Sequence, residues 1–225
     1  MRMRVVDGWS QPRVNVVLVS RVSGGAVSSG SAYEREAMAS AVVLKPVGLD
    51  DYSAVRYVHS TSLRLQGMAY LTEDEIQAFT DFVYSTEYVA SLMQDNLVAA
   101  WLGDELVGTA GWCPSDSNGS AARIRSVHVR PLFTGLDIGT RLVLDAEDRA
   151  RRAGFSEFST RATPNAVGFF NALGYEVTSY GVRQLANEHG LPVSFMRKQS
   201  PPQLEPVEPS GKVQLIVRHP EPLQI

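Results

Sequence analysis

The sequence predicts an α/β fold, with a central sheet of about seven strands and about four helices, and three observations carry that reading. Strand-length apolar runs alternate with stripes of helical period along residues 41–198. One pair of runs, 97–102 and 105–112, is split only by Gly103 and Asp104, which marks a tight antiparallel hairpin. The composition, 225 residues with 44% hydrophobic and 20% charged side chains, suits one core of ordinary size.

Taken in order, residues 41–45 read as the first strand. Asp50 or Asp51 can cap a helix that carries Val55, Val58 and Leu65 on one face. Thr72 and Glu75 form a capping box ahead of Ile76, Phe79 and Val83, and a further turn or two holds Val89 and Leu92. After the hairpin and a polar loop, Ile124, Val127 and Val129 mark a strand over 123–129 that stops at Pro131. Ile138, Leu142, Ala146, Ala150 and Ala153 form the clearest helical stripe. Arg149, Arg151 and Arg152 suit its C-terminal dipole, and Gly154 suits a left-handed cap. A strand over 155–160, a short helix over 164–173 closed by Gly174, and strands over 175–180 and 192–198 complete the pattern.

The ends differ from this middle. Residues 1–40 read as a flexible extension, in which Arg2, Arg4, Arg13 and Arg21 stand against Asp7 alone in the first thirty-odd positions. An organellar transit peptide is one reading of it; an unstructured extension, or a true start at Met38, is the simpler one. Residues 199–225 read as a Pro-rich tail, with Pro201, Pro202, Pro206 and Pro209 in its first half.

Charge and cysteine usage exclude several classes. With 21 basic and 24 acidic side chains, the net charge of −3 gives no field that would gather nucleic acid. No run approaches the roughly 18 apolar residues of a membrane span. The single cysteine, Cys113, forms no intrachain disulfide, and His59, His128, His189 and His219 lack metal-ligand spacing, so no metal is expected. A reducing, cytoplasmic setting fits this pattern.

Chemistry concentrates in the turn Arg130-Pro-Leu-Phe-Thr-Gly-Leu-Asp-Ile-Gly-Thr140. Gly135 and Gly139 let the backbone approach a ligand closely, and the free amides at the start of the next helix favour a phosphate or pyrophosphate. The turn is neither a P-loop, which needs Lys-Ser/Thr after its last glycine, nor a three-glycine dinucleotide fingerprint.

The element order, this turn after the fourth strand, and Phe169-Phe-Asn-Ala-Leu-Gly-Tyr175 after the fifth together resemble the GNAT superfamily of acyl-CoA-dependent N-acyltransferases. Ala122-Arg-Ile-Arg-Ser-Val-His-Val-Arg-Pro131, Ala162-Thr-Pro-Asn165 and Leu191-Pro-Val-Ser-Phe-Met-Arg-Lys198 look like a bacterial subgroup of small members. The resemblance covers residues 41–198. It implies a GNAT fold whose mixed, mostly antiparallel sheet parts between the strands at 123–129 and 155–160, with the arm of coenzyme A in the gap like an added strand.

The site residues that it implies are those of cofactor binding. Thr134, Gly135, Leu136, Asp137, Ile138, Gly139 and Thr140 would hold the pyrophosphate of acetyl-CoA. The main chain of Val127, His128 and Val129 would bond the pantetheine arm, and Asn165, Phe169 and Phe170 would border the thioester. The family turn runs Gln or Arg, x, x, Gly, x, Gly or Ala, whereas here these places hold Thr134, Asp137 and Gly139. An ionised Asp137 about 6 Å from a phosphate would cost on the order of 3 kcal/mol at an effective dielectric of about 20, before screening. Its expected structural role is a side-chain cap on the helix beginning near Ile138; the alternative is a loop that turns the carboxylate outward.

Phe170 stands where many family members place a tyrosine that protonates the leaving thiolate. Tyr175 and Tyr180 are expected to pack on the sheet rather than replace it. His128 lies on the appropriate strand, but alternation sets it opposite Val127 and Val129, and its expected role is structural. No catalytic acid or base is therefore assigned. The first two helical regions, rich in tyrosine and phenylalanine, are expected to shape the acceptor pocket. The implied reaction is acetyl transfer from acetyl-CoA to the primary amine of a small molecule or peptide by direct attack. The alternatives are a catalytically silent acyl-CoA-binding or regulatory module, for which Phe170 and Asp137 speak, and a domain of this fold that has lost the cofactor. Homodimers are common in the family, but no apolar stripe here demands one.

Overall fold

The computed structural model of the chain describes residues 32–115, 121–185 and 190–199. The N-terminal segment up to residue 31 and the Pro-rich tail beyond 199 lie outside the described residues. The elements run α1 (Ala32–Ala41), β1 (Val42–Pro46), α2 (Tyr52–Gly67), α3 (Glu73–Val83), α4 (Thr86–Met93), β2 (Val98–Leu102), β3 (Glu105–Pro114), β4 (Ala121–Val129), α5 (Ile138–Arg152), β5 (Glu157–Ala162), α6 (Val167–Ala172), β6 (Glu176–Gln184) and β7 (Gly190–Gln199). Short 3-10 turns at Leu49–Asp51, Pro131–Phe133 and Pro164–Ala166 precede α2, α5 and α6.

The seven strands form one sheet in the order β1-β2-β3-β4-β5-β7-β6. Every pairing is antiparallel except β4 with β5, which are parallel. The α/β fold with a mixed, mostly antiparallel seven-stranded sheet is thus as the sequence predicts. There are six α-helices among the described residues where about four are expected. One addition, α1, has little apolar periodicity to reveal it. The other is a division: Ser85 accepts from the Tyr88 amide at 3.1 Å and starts α4 afresh, so the second helical region is two helices.

Local signals set the boundaries. At the start of α3, the Glu75 amide donates to Thr72 Oγ1 at 3.3 Å and the Thr72 amide donates to Glu75 Oε2 at 2.7 Å, the reciprocal capping box. At the end of α5, Gly154 adopts φ +96° and the Phe155 amide donates to the Ala150 carbonyl at 3.1 Å. That closure uses Phe155, so β5 begins two residues later than the pattern suggests.

Two apolar layers flank the sheet. On one face α5 buries Ile138, Leu142, Val143, Ala146 and Ala150 against Val107, Ile124 and Phe158. On the other, α2, α3 and α4 bury Val55, Val58, Phe79 and Leu92 against Ala99 and Leu106. A polar tie crosses the first layer: Glu147, 1% exposed, accepts from Lys198 Nζ at 2.7 and 2.9 Å and from the Tyr175 hydroxyl at 2.9 Å. Tyr175 is accordingly a packed residue, its hydroxyl committed to Glu147, while Tyr180 is 77% exposed.

Candidate functional site

The site begins where the sheet comes apart. β4 and β5 pair only from Ala121↔Glu157 to Arg123↔Ser159, and the rest of β4 has no strand partner on that side. A cavity of about 260 Å³ lies at the parting, walled by β4, β5, the helical layer of α2 to α4 and the ends of β6 and β7.

A bulge shapes β4 at this point. The β3 pairing jumps from Thr109↔His128 to Gly111↔Arg125, and Ser126 takes the left-handed conformation with φ +55°. For a residue other than glycine this costs about 1–2 kcal/mol. Two hydrogen bonds hold it: Thr109 Oγ1 donates to the Ser126 carbonyl at 2.6 Å, and Ser126 Oγ donates to Asp95 at 2.9 Å. Because the Thr109 proton is used on Ser126, its oxygen accepts from His59 Nε2 at 2.7 Å, and His59 Nδ1 accepts from the Tyr88 hydroxyl at 2.6 Å. The chain of donors fixes the Nε2–H tautomer of a histidine that is wholly buried.

Past the bulge, Val127 and Val129 pack toward the α5 layer, while the His128 ring stacks on His59 with centroids 4.1 Å apart. Burial lowers the pKa of His128 to about 4, with help from the positive charge of Arg183. His59 is pushed well below its ordinary value by burial and then by His128. Both imidazoles are neutral at pH 7.

Of the residues the sequence singles out, Val127, His128, Asn165 and Phe170 line the cavity. Val129 and Phe169 instead join it to the turn. A Cβ placed on Gly139 would lie 3.3 Å from the Phe169 ring and 3.7 Å from Val129 Cγ2, so α5 starts close against α6 and β4 and a larger residue would push the Phe169 ring aside. The Val129 carbonyl is already taken by Ser62 Oγ at 2.9 Å and Gln66 Nε2 at 3.2 Å from α2.

The turn differs from expectation at Asp137. This residue occupies the N-cap position of α5 but is left-handed, φ +58°, and its side chain makes no capping hydrogen bond. The expected side-chain cap is therefore corrected: Asp137 is exposed and in the conformation that glycine adopts most readily, and its carboxylate accepts no bond from the helix amides. Among the described residues, none of the backbone N–H groups of Gly135, Leu136, Asp137, Ile138, Gly139 and Thr140 donates a hydrogen bond; the first helical bond is from Arg141 to the Asp137 carbonyl at 3.1 Å. Thr134 alone closes back on the preceding turn, its amide on Pro131 at 3.3 Å. Six unused donors at the positive end of a 15-residue helix suit a pyrophosphate. Arg35 of α1 reaches over the turn and donates to the Gly135 carbonyl at 3.3 Å, bringing a positive charge that the sequence pattern did not reveal.

Phe170 is 4% exposed and packs edge-on against Phe169 and Tyr175, with ring centroids 5.1 and 5.3 Å away. It supplies an apolar wall. Of the aromatics expected from the first two helical regions, Tyr70, Phe79 and Tyr88 line the cavity; sequence reasoning missed His59 and Thr109, which act at a distance in sequence, and Arg183, which lies beyond the expected end of its strand. Among the described residues no group of histidine, cysteine and carboxylate side chains could hold a metal ion, and no helix is long and apolar enough to cross a membrane.

The sheet parts between parallel neighbours, and the turn with the unused amides follows the parted end of β4. Residues 68–200 match the model of the acetyltransferase (GNAT) domain, and the chain belongs to that family. Solved structures are similar in fold. A GCN5-related N-acetyltransferase from Rhodopseudomonas palustris superposes with a TM-score of 0.62 at 22% identity, over 70% of this chain and 94% of that one. The PaiA N-acetyltransferase of Thermoplasma acidophilum, in complex with coenzyme A, gives 0.54 at 19% identity over 70% and 98%. A GNAT family acetyltransferase from Brucella melitensis, in complex with acetyl-CoA, gives 0.50 at 15% over 72% and 89%. No curated relative matches the chain.

Proposed function

We propose that this protein transfers the acetyl group of acetyl-CoA to a primary amine by direct attack in a ternary complex. One observation carries the reading: the stretch of β4 that parts from β5 and lines a cavity leads directly into a turn and helix start with six amides that have no partner among the described residues. The amides of residues 135–140 would bind the pyrophosphate, aided by the helix dipole and by Arg35. On the edge of β4 that faces β5, where no strand among the described residues pairs with it, the main chain of Val127 and His128 would align the pantetheine arm, and Asn165, Phe169 and Phe170 would border its reactive end.

Acetyl-CoA supplies the activated acyl group. The protein's share is orientation and a neutral amine nucleophile. Among the described residues no carboxylate lines the cavity, and the neutral imidazole of His128, held by its stack on His59, is a weak base, so the amine would attack in its neutral form. A thiol of pKa about 8.5 leaves tolerably as the anion, so Phe170 need not supply a proton. A small-molecule or peptide amine as acceptor, and a reducing cytoplasmic setting, belong to the same reading.

The test is calorimetric titration with acetyl-CoA, followed by an assay of free thiol released across a panel of amines. Micromolar binding with amine-dependent thiol release is expected. Absence of both heat and thermal stabilisation would overturn the proposal. The buried, hydroxyl-free Phe170 favours a second reading, a silent acyl-CoA-binding module, which predicts binding without thiol release from any amine.

A further inference from the structure

Four arginines from three strands line the cavity: Arg123 and Arg125 of β4, Arg161 of β5 and Arg183 of β6. The bulge at Ser126 is what sets His128 on the side of the sheet that Arg123 and Arg125 already occupy. Only Arg125 has a matching charge, Asp95 at 3.0 Å. Arg123 donates to the Ser115 carbonyl at 3.2 Å, Arg161 lies over the Phe195 ring at 5.4 Å, and Arg183 lies over the Phe82 ring at 5.3 Å. Among the described residues no carboxylate pairs with any of these three, and none lines the cavity. The cations also repel one another: beyond the effect of burial, Arg161 and Arg125 disfavour the charge on Arg123, and Arg125 disfavours that on Arg183, while Asp95, the one carboxylate among the described residues ion-paired to the cluster, favours both charges.

We infer that the acceptor is a small amine that also carries an acidic group, a carboxylate or a phosphate, held by Arg123, Arg161 and Arg183. The inference rests on the transferase reading and names the substrate class of that same site. A guanidinium offers paired donors that match either anion, and stacking on an aromatic ring orders it in advance. A polyamine or another acceptor with extra positive charge meets a surplus of like charge, four arginines against Asp95. The same surplus disfavours the ammonium form of the acceptor and so favours the neutral nitrogen that attacks.

The experiment compares matched pairs in the thiol-release assay: glutamate with glutamine, aspartate with asparagine, and phosphoethanolamine with ethanolamine, with spermidine as the cationic control. For at least one pair the acidic member is expected to show kcat/KM at least tenfold higher than its partner, and the pair in which this occurs distinguishes carboxylate from phosphate. Arg161→Gln and Arg183→Gln are expected to raise KM for that acceptor about tenfold, leaving the calorimetric Kd for acetyl-CoA unchanged; the lysine variants should recover part of the loss. Equal or better turnover of the neutral or cationic members would overturn the inference. So would glutamine variants that weaken acetyl-CoA instead, since the arginines would then serve the donor's phosphates. If acetyl-CoA binds but no amine is turned over, the transferase reading falls, and titration of the same acids into the coenzyme A complex decides the anion site. Binding lost in Arg161→Gln would uphold it, and no binding of any acid would overturn it.

Discussion

The hydroxyl of Thr109 donates a 2.6 Å hydrogen bond to the carbonyl of Ser126, the residue at which β4 turns left-handed. Thr109 is fully buried and its oxygen also accepts from His59, so one side chain ties the bulge to the helical layer. Thr109→Val keeps the volume and removes both bonds. It is expected to cost about 2–3 kcal/mol, because a carbonyl and an imidazole N–H lose their partner in the interior. Thiol release should fall on the order of tenfold or more as the cavity wall shifts. Urea unfolding and steady-state kinetics on the same variant check both, and unchanged stability would refute the account.

Asp137→Gly should strengthen the turn twice over. Glycine adopts φ +58° without the penalty an aspartate meets, which is expected to stabilise the fold by about 1 kcal/mol. Removing the carboxylate should tighten acetyl-CoA binding about tenfold, the direction set by charge and the size reduced by solvent screening at an exposed position. Calorimetry at two salt concentrations would check it, the gain shrinking at high salt.

The stacked histidines predict acid sensitivity. In the folded chain His128 titrates near 4 and His59 well below its usual range, whereas unfolded histidines bind protons near pH 6.5. The unfolded state therefore takes up more protons as pH falls through that window, and stability declines from pH 7 toward pH 4. His128 alone would contribute a loss of about 3 kcal/mol over that range. Denaturation midpoints between pH 7 and 4.5 should fall for the wild type and fall less steeply for His128→Asn.

Lys198→Met should destabilise by about 3–5 kcal/mol, since it strands the buried Glu147 carboxylate with only the Tyr175 hydroxyl. The double variant with Glu147→Gln should recover most of the loss. A double-mutant cycle in urea measures the coupling, and additive effects would show that the pair is not a unit.

Much of the fold was legible because its signals are local. The Thr72 and Glu75 capping box, the Gly103-Asp104 hairpin and the Gly154 closure each act within a few residues, and each appears where the pattern set it. Helix α1 was not legible: it is held by Arg141 of α5, whose guanidinium donates to the Ala39 and Val42 carbonyls at 2.7 and 2.9 Å, about a hundred positions away. The candidate site divides in the same way. Gly135 and Gly139 announce an amide-rich turn from their spacing alone, but the unused amides depend on Asp137 declining to cap, a choice made by its backbone angle.

The sequence by itself determined the element order, the turn and the strand proposed to carry the donor site, because period, caps and glycine placement are properties of neighbouring residues. Only the tertiary structure decided which face of β4 carries His128 together with Arg123 and Arg125. Simple alternation sets His128 opposite Arg123 and Arg125; the bulge at Ser126 adds one residue and brings them to one side. That bulge exists because Thr109 and Asp95, distant in sequence, hydrogen-bond to Ser126 and offset its backbone strain, and no local pattern encodes a balance struck between strands.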